Sequence, residues 1–141
     1  MLFFLHAANV TKPVTQEEFD RMGIRRKPFK LPVVLKYVLH YADGETRVIP
    51  VKLEQHVDTF NQMEARPLEG AMLAWRQPPP LSTSRANAFA VWNMKVPNPR
   101  PDVEIESIDV AQGISRRGGP SNRGAFAVLA ITVGRIAGEQ E

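Results

Sequence analysis

Few side chains in this 141-residue chain are spaced for chemistry. Glu104 and Glu106 stand two apart, which puts them on one face of a strand. Paired carboxylates serve glycoside hydrolysis when one of them is desolvated enough to stay protonated; otherwise such a pair is simply a solvated face. His6, His40 and His56 lie in three separate segments with no HxH or HExxH spacing, so the sequence announces no metal site. His6 and His40 would meet only if their strands paired. Asp102, Glu104 and Asp109 are close enough in sequence to be candidate oxygen donors for a structural calcium; no other cofactor is indicated. No serine sits in a GxSxG setting, and Arg117-Gly118-Gly119-Pro120 lacks the lysine and the following helix of a phosphate loop. The chain has no cysteine, hence no disulfide framework and no thiol chemistry.

Aromatic platforms remain. A sugar ring stacks its C–H face on an indole while amides, carboxylates and guanidinium groups read its hydroxyls. Trp75-Arg76 and Trp92-Asn93 each place an indole beside a polar side chain, and Phe60 lies next to Asp58. These six residues form the candidate ligand-binding set, with core packing of the two indoles as the plainer alternative.

The elements that must position them are short strands. Apolar residues make up 43% and charged residues 23%, the balance of a folded domain, and one domain over 1–141 is expected. Twelve prolines and nine glycines spread along the chain suit many strands joined by turns. The net charge of +3 is too small to point to nucleic acid, and Arg25-Arg26-Lys27 and Arg116-Arg117 read as solvated loops. No apolar run is long enough for a membrane-spanning helix. The apolar start lacks a basic flank and a cleavage site, so no signal peptide is expected.

Strict alternation marks Val33 to Tyr41, with Leu35, Tyr37, Leu39 and Tyr41 on one face. Asp43-Gly44 predicts a two-residue type I′ hairpin into Thr46 to Leu53, where Pro50 demands an edge or a bulge. Further strands are expected at Leu2 to Ala8, Gly70 to Arg76, Asn87 to Lys95 and Val103 to Val110. In the last of these the apolar phase slips, which predicts a bulge near Ser107. Ala125 to Val133 is uninterruptedly apolar and reads as a central strand buried on both sides. Thr15-Gln16-Glu17-Glu18 is a capping box, so one short helix is expected near 15–22, stopped at Gly23. Pro78 to Ala86 and Gly113 to Gly124 read as loops, and 134–141 as a frayed tail. About seven strands and one short helix give an all-β class, an antiparallel β-sandwich or jelly roll.

The stretch Asn98-Pro99-Arg100-Pro101-Asp102-Val103-Glu104-Ile105-Glu106-Ser107-Ile108-Asp109 resembles a galactose-binding-like β-sandwich found as an accessory domain in bacterial carbohydrate-active and surface proteins. Leu2-Phe3-Phe4-Leu5-His6-Ala7-Ala8, Tyr37 to Gly44, Val48-Ile49-Pro50-Val51, Ala74-Trp75, Trp92-Asn93 and Ala130-Ile131-Thr132-Val133 follow in the order of that family. The family's tryptophan-rich segment is here Val57-Asp58-Thr59-Phe60. The resemblance implies a jelly roll, an extracellular or periplasmic setting, and a non-catalytic carbohydrate-binding module of a polysaccharide-degrading system. The alternative is a structural or protein-interaction sandwich, and a small glycoside hydrolase using Glu104 and Glu106 is the third. In that family a further segment precedes the first strand seen here. An incomplete N-terminal edge is therefore expected, leading to a homo-oligomer or to a second chain that supplies the missing strand.

Overall fold

The computed structural model describes residues 1–9, 20–23, 33–62, 65–77, 88–113 and 125–134. They form eight strands: β1 (Leu2–Asn9), β2 (Val33–Tyr41), β3 (Thr46–Lys52), β4 (Asn61–Gln62), β5 (Ala71–Gln77), β6 (Ala88–Val96), β7 (Ile105–Gln112) and β8 (Ala125–Val133). All strand pairings are antiparallel and divide into two sheets, so the chain is an all-β sandwich. No helix among the described residues is long and apolar enough to cross a membrane. Of the expected helix, most lies outside the described residues. Its end is seen: Asp20 and Arg21 are helical, and Gly23 donates to the Asp20 carbonyl at 3.0 Å with φ +69°, a conformation glycine adopts without strain. The Arg25-Arg26-Lys27 and Arg116-Arg117 clusters, the Pro78 to Ala86 loop, 114–124 of the glycine-rich loop and 135–141 of the tail also lie outside them.

The five-stranded sheet is built on β6. Strands β1 and β5 both pair with Trp92–Met94 and therefore flank β6, β4 pairs with its first residues, and β8 pairs with the far side of β1. The three-stranded sheet has the order β3-β2-β7. Leu2, Phe4, His6, Ala90, Trp92 and Met94 point inward from the first sheet. Leu35, Tyr37, Leu39, Tyr41, Ile49 and Val51 meet them from the second, and all are buried. The Phe4 and Tyr37 rings stack at 4.0 Å across the interface. Each large apolar side chain taken out of water here contributes about 1.5–3 kcal/mol.

One buried polar pair crosses this core. His6 Nε2 lies 2.8 Å from the His56 carbonyl oxygen, which can only accept, so Nε2 carries the proton. Nδ1 then accepts from the Tyr37 hydroxyl, also at 2.8 Å. Burial lowers the pKa of the His6 ring and raises that of the Tyr37 phenol, keeping both neutral. His6 and His40 do not meet, because β1 and β2 belong to different sheets; His40 instead lies 2.9 Å from Asp109.

At one end of the sandwich, segments distant in sequence interlock. The Tyr41 hydroxyl donates to Asn98 Oδ1 at 2.6 Å, and the Arg100 guanidinium grips the Asp43 carboxylate through both terminal nitrogens while lying over the Tyr41 ring. The pair holds the Asp43 carboxyl below its usual range. Residues of the Tyr37 to Gly44 segment and of the Asn98 segment thus hold each other.

Three details depart from the sequence expectation. The β2–β3 turn is not a two-residue type I′ turn. Gly44 alone has a positive φ (+84°), Gly44 N bonds to Tyr41 O, and Tyr41 N bonds to Glu45 O. This is a three-residue loop, a type I turn closed by a left-handed glycine. Strand β8 is not central. Among the described residues it lies at a sheet edge, and it shows its outer face to solvent, where Ala125, Ala127, Leu129, Ala130 and Thr132 are exposed. Nor is β1 an incomplete edge, because β6 and β8 flank it. Two other expectations hold. Pro50 sits opposite Lys36 in β3, an edge strand, and β7 is bulged at Glu106, where the register passes from His40↔Ser107 to Tyr41↔Ile105.

Candidate functional site

The outer face of the five-stranded sheet carries a cleft of about 470 Å³. Its floor is small because Ala7, Ala125 and Ala127 leave the backbone low, and its walls are large side chains: Trp75, Phe89 and Phe60 on one side, Leu129 on the other. Phe60 and Phe89 stack nearly parallel, 5.5 Å apart. Among the described residues Asn9 is the one polar residue along the lining.

Two bulges shape this cleft. In β5 the register passes from Leu73↔Trp92 to Trp75↔Val91, leaving Ala74 as an extra residue. Simple alternation would send Trp75 inward with Ala71 and Leu73. The bulge turns it outward beside Val91, where it is 51% exposed. In β8 the register passes from Leu5↔Ala130 to His6↔Val128, so Leu129 is the extra residue and forms the opposite wall.

The six candidate ligand residues separate on this geometry. Trp75 and Phe60 line the cleft together. Trp92 does not: its ring is fully buried and its Nε1–H donates to the Arg66 carbonyl at 3.0 Å, so it is a core residue with no face for a ligand. Arg76 follows Trp75 and pairs opposite Ala90, which sends its side chain to the other face of β5. Asp58 is buried and its Oδ1 accepts from the Thr59 backbone N–H at 2.7 Å, which removes it as a reader of solvent-borne hydroxyls. Asn93 lies on the outer face opposite Leu5 and Met72, but its Oδ1 is buried with no hydrogen-bond partner.

The carboxylates do not form a catalytic pair. Glu104 and Glu106 are both exposed, so neither is desolvated as an acid catalyst requires. Asp102 and Glu104 border a shallow depression of about 930 Å³ at the Asn98 end, whereas Asp109 is engaged with His40. Among the described residues no three His, Asp or Glu side chains are grouped to hold a metal, so the proposed calcium donors do not converge.

What sequence reasoning missed are the walls of the cleft: Phe89, Leu129 and the alanine floor. The undirected apolarity of β8 was the signal, since a strand at an edge has no internal reason to be apolar on both faces. Comparison with protein-family models, with curated proteins and with solved structures finds no match.

Proposed function

We propose that this chain is a protein-interaction β-sandwich that works through the outer face and the β8 side of its five-stranded sheet. The observation that carries this is the chemistry of the cleft, an apolar trough with a half-exposed tryptophan at its wall and, among the described residues, Asn9 as its one polar lining residue. A contiguous apolar surface of this kind marks a binding face, and apolar side chains of a partner chain match it. Carbohydrate recognition is the second reading, favoured by the exposed Trp75 ring and by the family resemblance. Among the described residues it lacks the ring of polar readers that sugar hydroxyls call for, because Asp58 is buried, Arg76 faces away and the Asn93 oxygen is enclosed.

Trp92→Phe leaves Trp75 as the only tryptophan, so its emission reports the cleft alone. Titration with short peptides rich in leucine and phenylalanine should shift that emission to the blue and protect it from acrylamide. Soluble oligosaccharides should leave it unchanged. A response to oligosaccharides and none to peptides would replace this reading with the second.

A further inference from the structure

We infer that His56 is an acid-released latch on the cleft: its neutral imidazole locks the turn between β3 and β4, and mild acid favours release of that turn and of the aromatic wall that follows it. The inference rests on the interaction reading above and adds the regulation of that same cleft.

It starts from a hydrogen bond that only a neutral ring can accept. The backbone N–H of Lys52 lies 3.0 Å from His56 Nδ1. A backbone N–H can only donate, so Nδ1 carries no proton. The rest of the turn closes around this bond. His56 N–H donates to the Lys52 carbonyl at 2.9 Å, and Glu54 N–H to the Val57 carbonyl at 2.8 Å. Gly70 N–H reaches the Gln55 carbonyl, and His6 reaches the His56 carbonyl, each at 2.8 Å. The turn is thereby tied to β3, to β1 and to the residue that precedes β5.

Two features show that the place is shaped for this ring. Gly70 has no positive φ, so its backbone does not ask for glycine; a Cβ there would overlap the His56 ring. Among the described residues Glu54 is the one non-glycine residue with a positive φ, +62°. Such a conformation costs free energy and persists where its surroundings impose it.

A proton on Nδ1 would set one donor against another. His56 is partly exposed, so protons reach it without unfolding of the chain. Burial and the Lys52 charge of β3 oppose a charge on the ring, Glu69 beside Gly70 favours one, and the net effect lowers its pKa; His6 of β1 meets the carbonyl of the same residue. The closed turn therefore resists a proton that the open turn accepts, and acid shifts the balance toward opening.

The two segments that leave this knot run to the wall of the cleft. One leads through buried Val57 and Asp58 to Phe60, whose N–H donates to the Ala8 carbonyl at 2.6 Å, whose carbonyl accepts from Ala90 at 2.8 Å, and whose ring stacks on Phe89. The other is β5, which starts directly after Gly70 and carries Trp75.

The test is amide hydrogen exchange of the whole chain from about pH 7.5 to about pH 5.5, corrected for the intrinsic pH dependence of exchange. The N–H groups of Lys52, His56, Gly70 and Phe60 should exchange faster than those of β2, through local opening. Their protection should fall by up to about tenfold for each pH unit below 6.5, the ordinary value of the ring. His56→Asn keeps an acceptor near the place of Nδ1 and takes up no proton, so the fall should disappear. Gly70→Ala expels the ring and should leave these amides weakly protected even at the upper pH, while β2 stays protected. A leucine- and phenylalanine-rich peptide at about ten times its Kd should raise their protection at the lower pH about tenfold, because it binds only where the wall is in place. Protection that does not depend on pH, or that falls equally in His56→Asn, overturns the latch. Acid-dependent protection that the bound peptide leaves unchanged overturns the regulation and leaves the interaction reading standing. Acid-dependent protection with no Trp75 response to peptide at the upper pH sinks the interaction reading and its regulation together, and the acid-released turn stands.

Discussion

Acid should loosen this fold through His6 before any carboxylate titrates. The ring is fully buried, and both its nitrogens are used in a neutral tautomer, Nε2–H donating to the His56 carbonyl and Nδ1 accepting from Tyr37. A proton on Nδ1 would turn the acceptor into a second donor facing the Tyr37 hydroxyl and would bury a charge. Desolvation accordingly lowers the folded pKa below 6.5, the value the unfolded chain retains. The sign follows: below 6.5 the unfolded chain takes up a proton that the folded one resists, so stability falls as the pH falls from there towards the folded pKa. The slope limit is about 1.4 kcal/mol per pH unit for one such group. His56, also lowered by burial, acts in the same sense, so with both the limit is about 2.7 kcal/mol per pH unit. Urea unfolding between about pH 7.5 and pH 5.5 isolates this window, since unperturbed carboxylates titrate nearer pH 4. The expected outcome is a plateau above neutrality and a decline below it, and His6→Gln should remove the His6 share of the decline. A flat profile, or a slope that His6→Gln leaves unaltered, would refute the neutral buried imidazole.

Three further outcomes follow from the packing. Tyr37→Phe deletes the donor to His6 Nδ1 and leaves a buried acceptor unsatisfied, so urea unfolding at neutral pH should show a loss of about 1–3 kcal/mol. Gly113→Ala should destabilise by about 1–3 kcal/mol in the same assay, because an added Cβ would overlap the Val33 carbonyl where Gly113 N bonds to Val34 O. Gly44→Ala forces a left-handed conformation on a residue with a Cβ, and a loss of about 1–2 kcal/mol is expected even though the space around it is open.

The fold was legible wherever alternation was decided by burial on one face. Strand β2 runs from Val33 to Tyr41 as its pattern demands, and the phase slip at Ser107 located the bulge of β7. The hairpin turn was misjudged because Asp-Gly satisfies two turn geometries, and the choice depends on the register of the flanking strands, which the dipeptide does not encode. Strand β8 differs from its expected place because continuous apolarity does not say which neighbours a strand has: it fits a strand buried on both faces and, here, one that pairs with β1 on one side only among the described residues. The candidate site was legible only in part. Trp75 and Trp92 are indistinguishable as residues; what separates them is the extra residue at Ala74, which leaves no trace in the local composition of Ala71–Gln77.

The bulge at Ala74 also makes β5 tolerant of a change in length. Both faces of this strand are dictated by β6, since Leu73 stays with Trp92 and Trp75 with Val91 whatever lies between them. Loss of the single Ala74 codon would straighten the strand and leave the core leucine and the surface tryptophan where they are. The same loss in β2, which pairs with a neighbour on each side, would turn a whole buried face out to solvent. Natural variation in length should therefore collect at the wall of the cleft and spare the strand that anchors the opposite sheet.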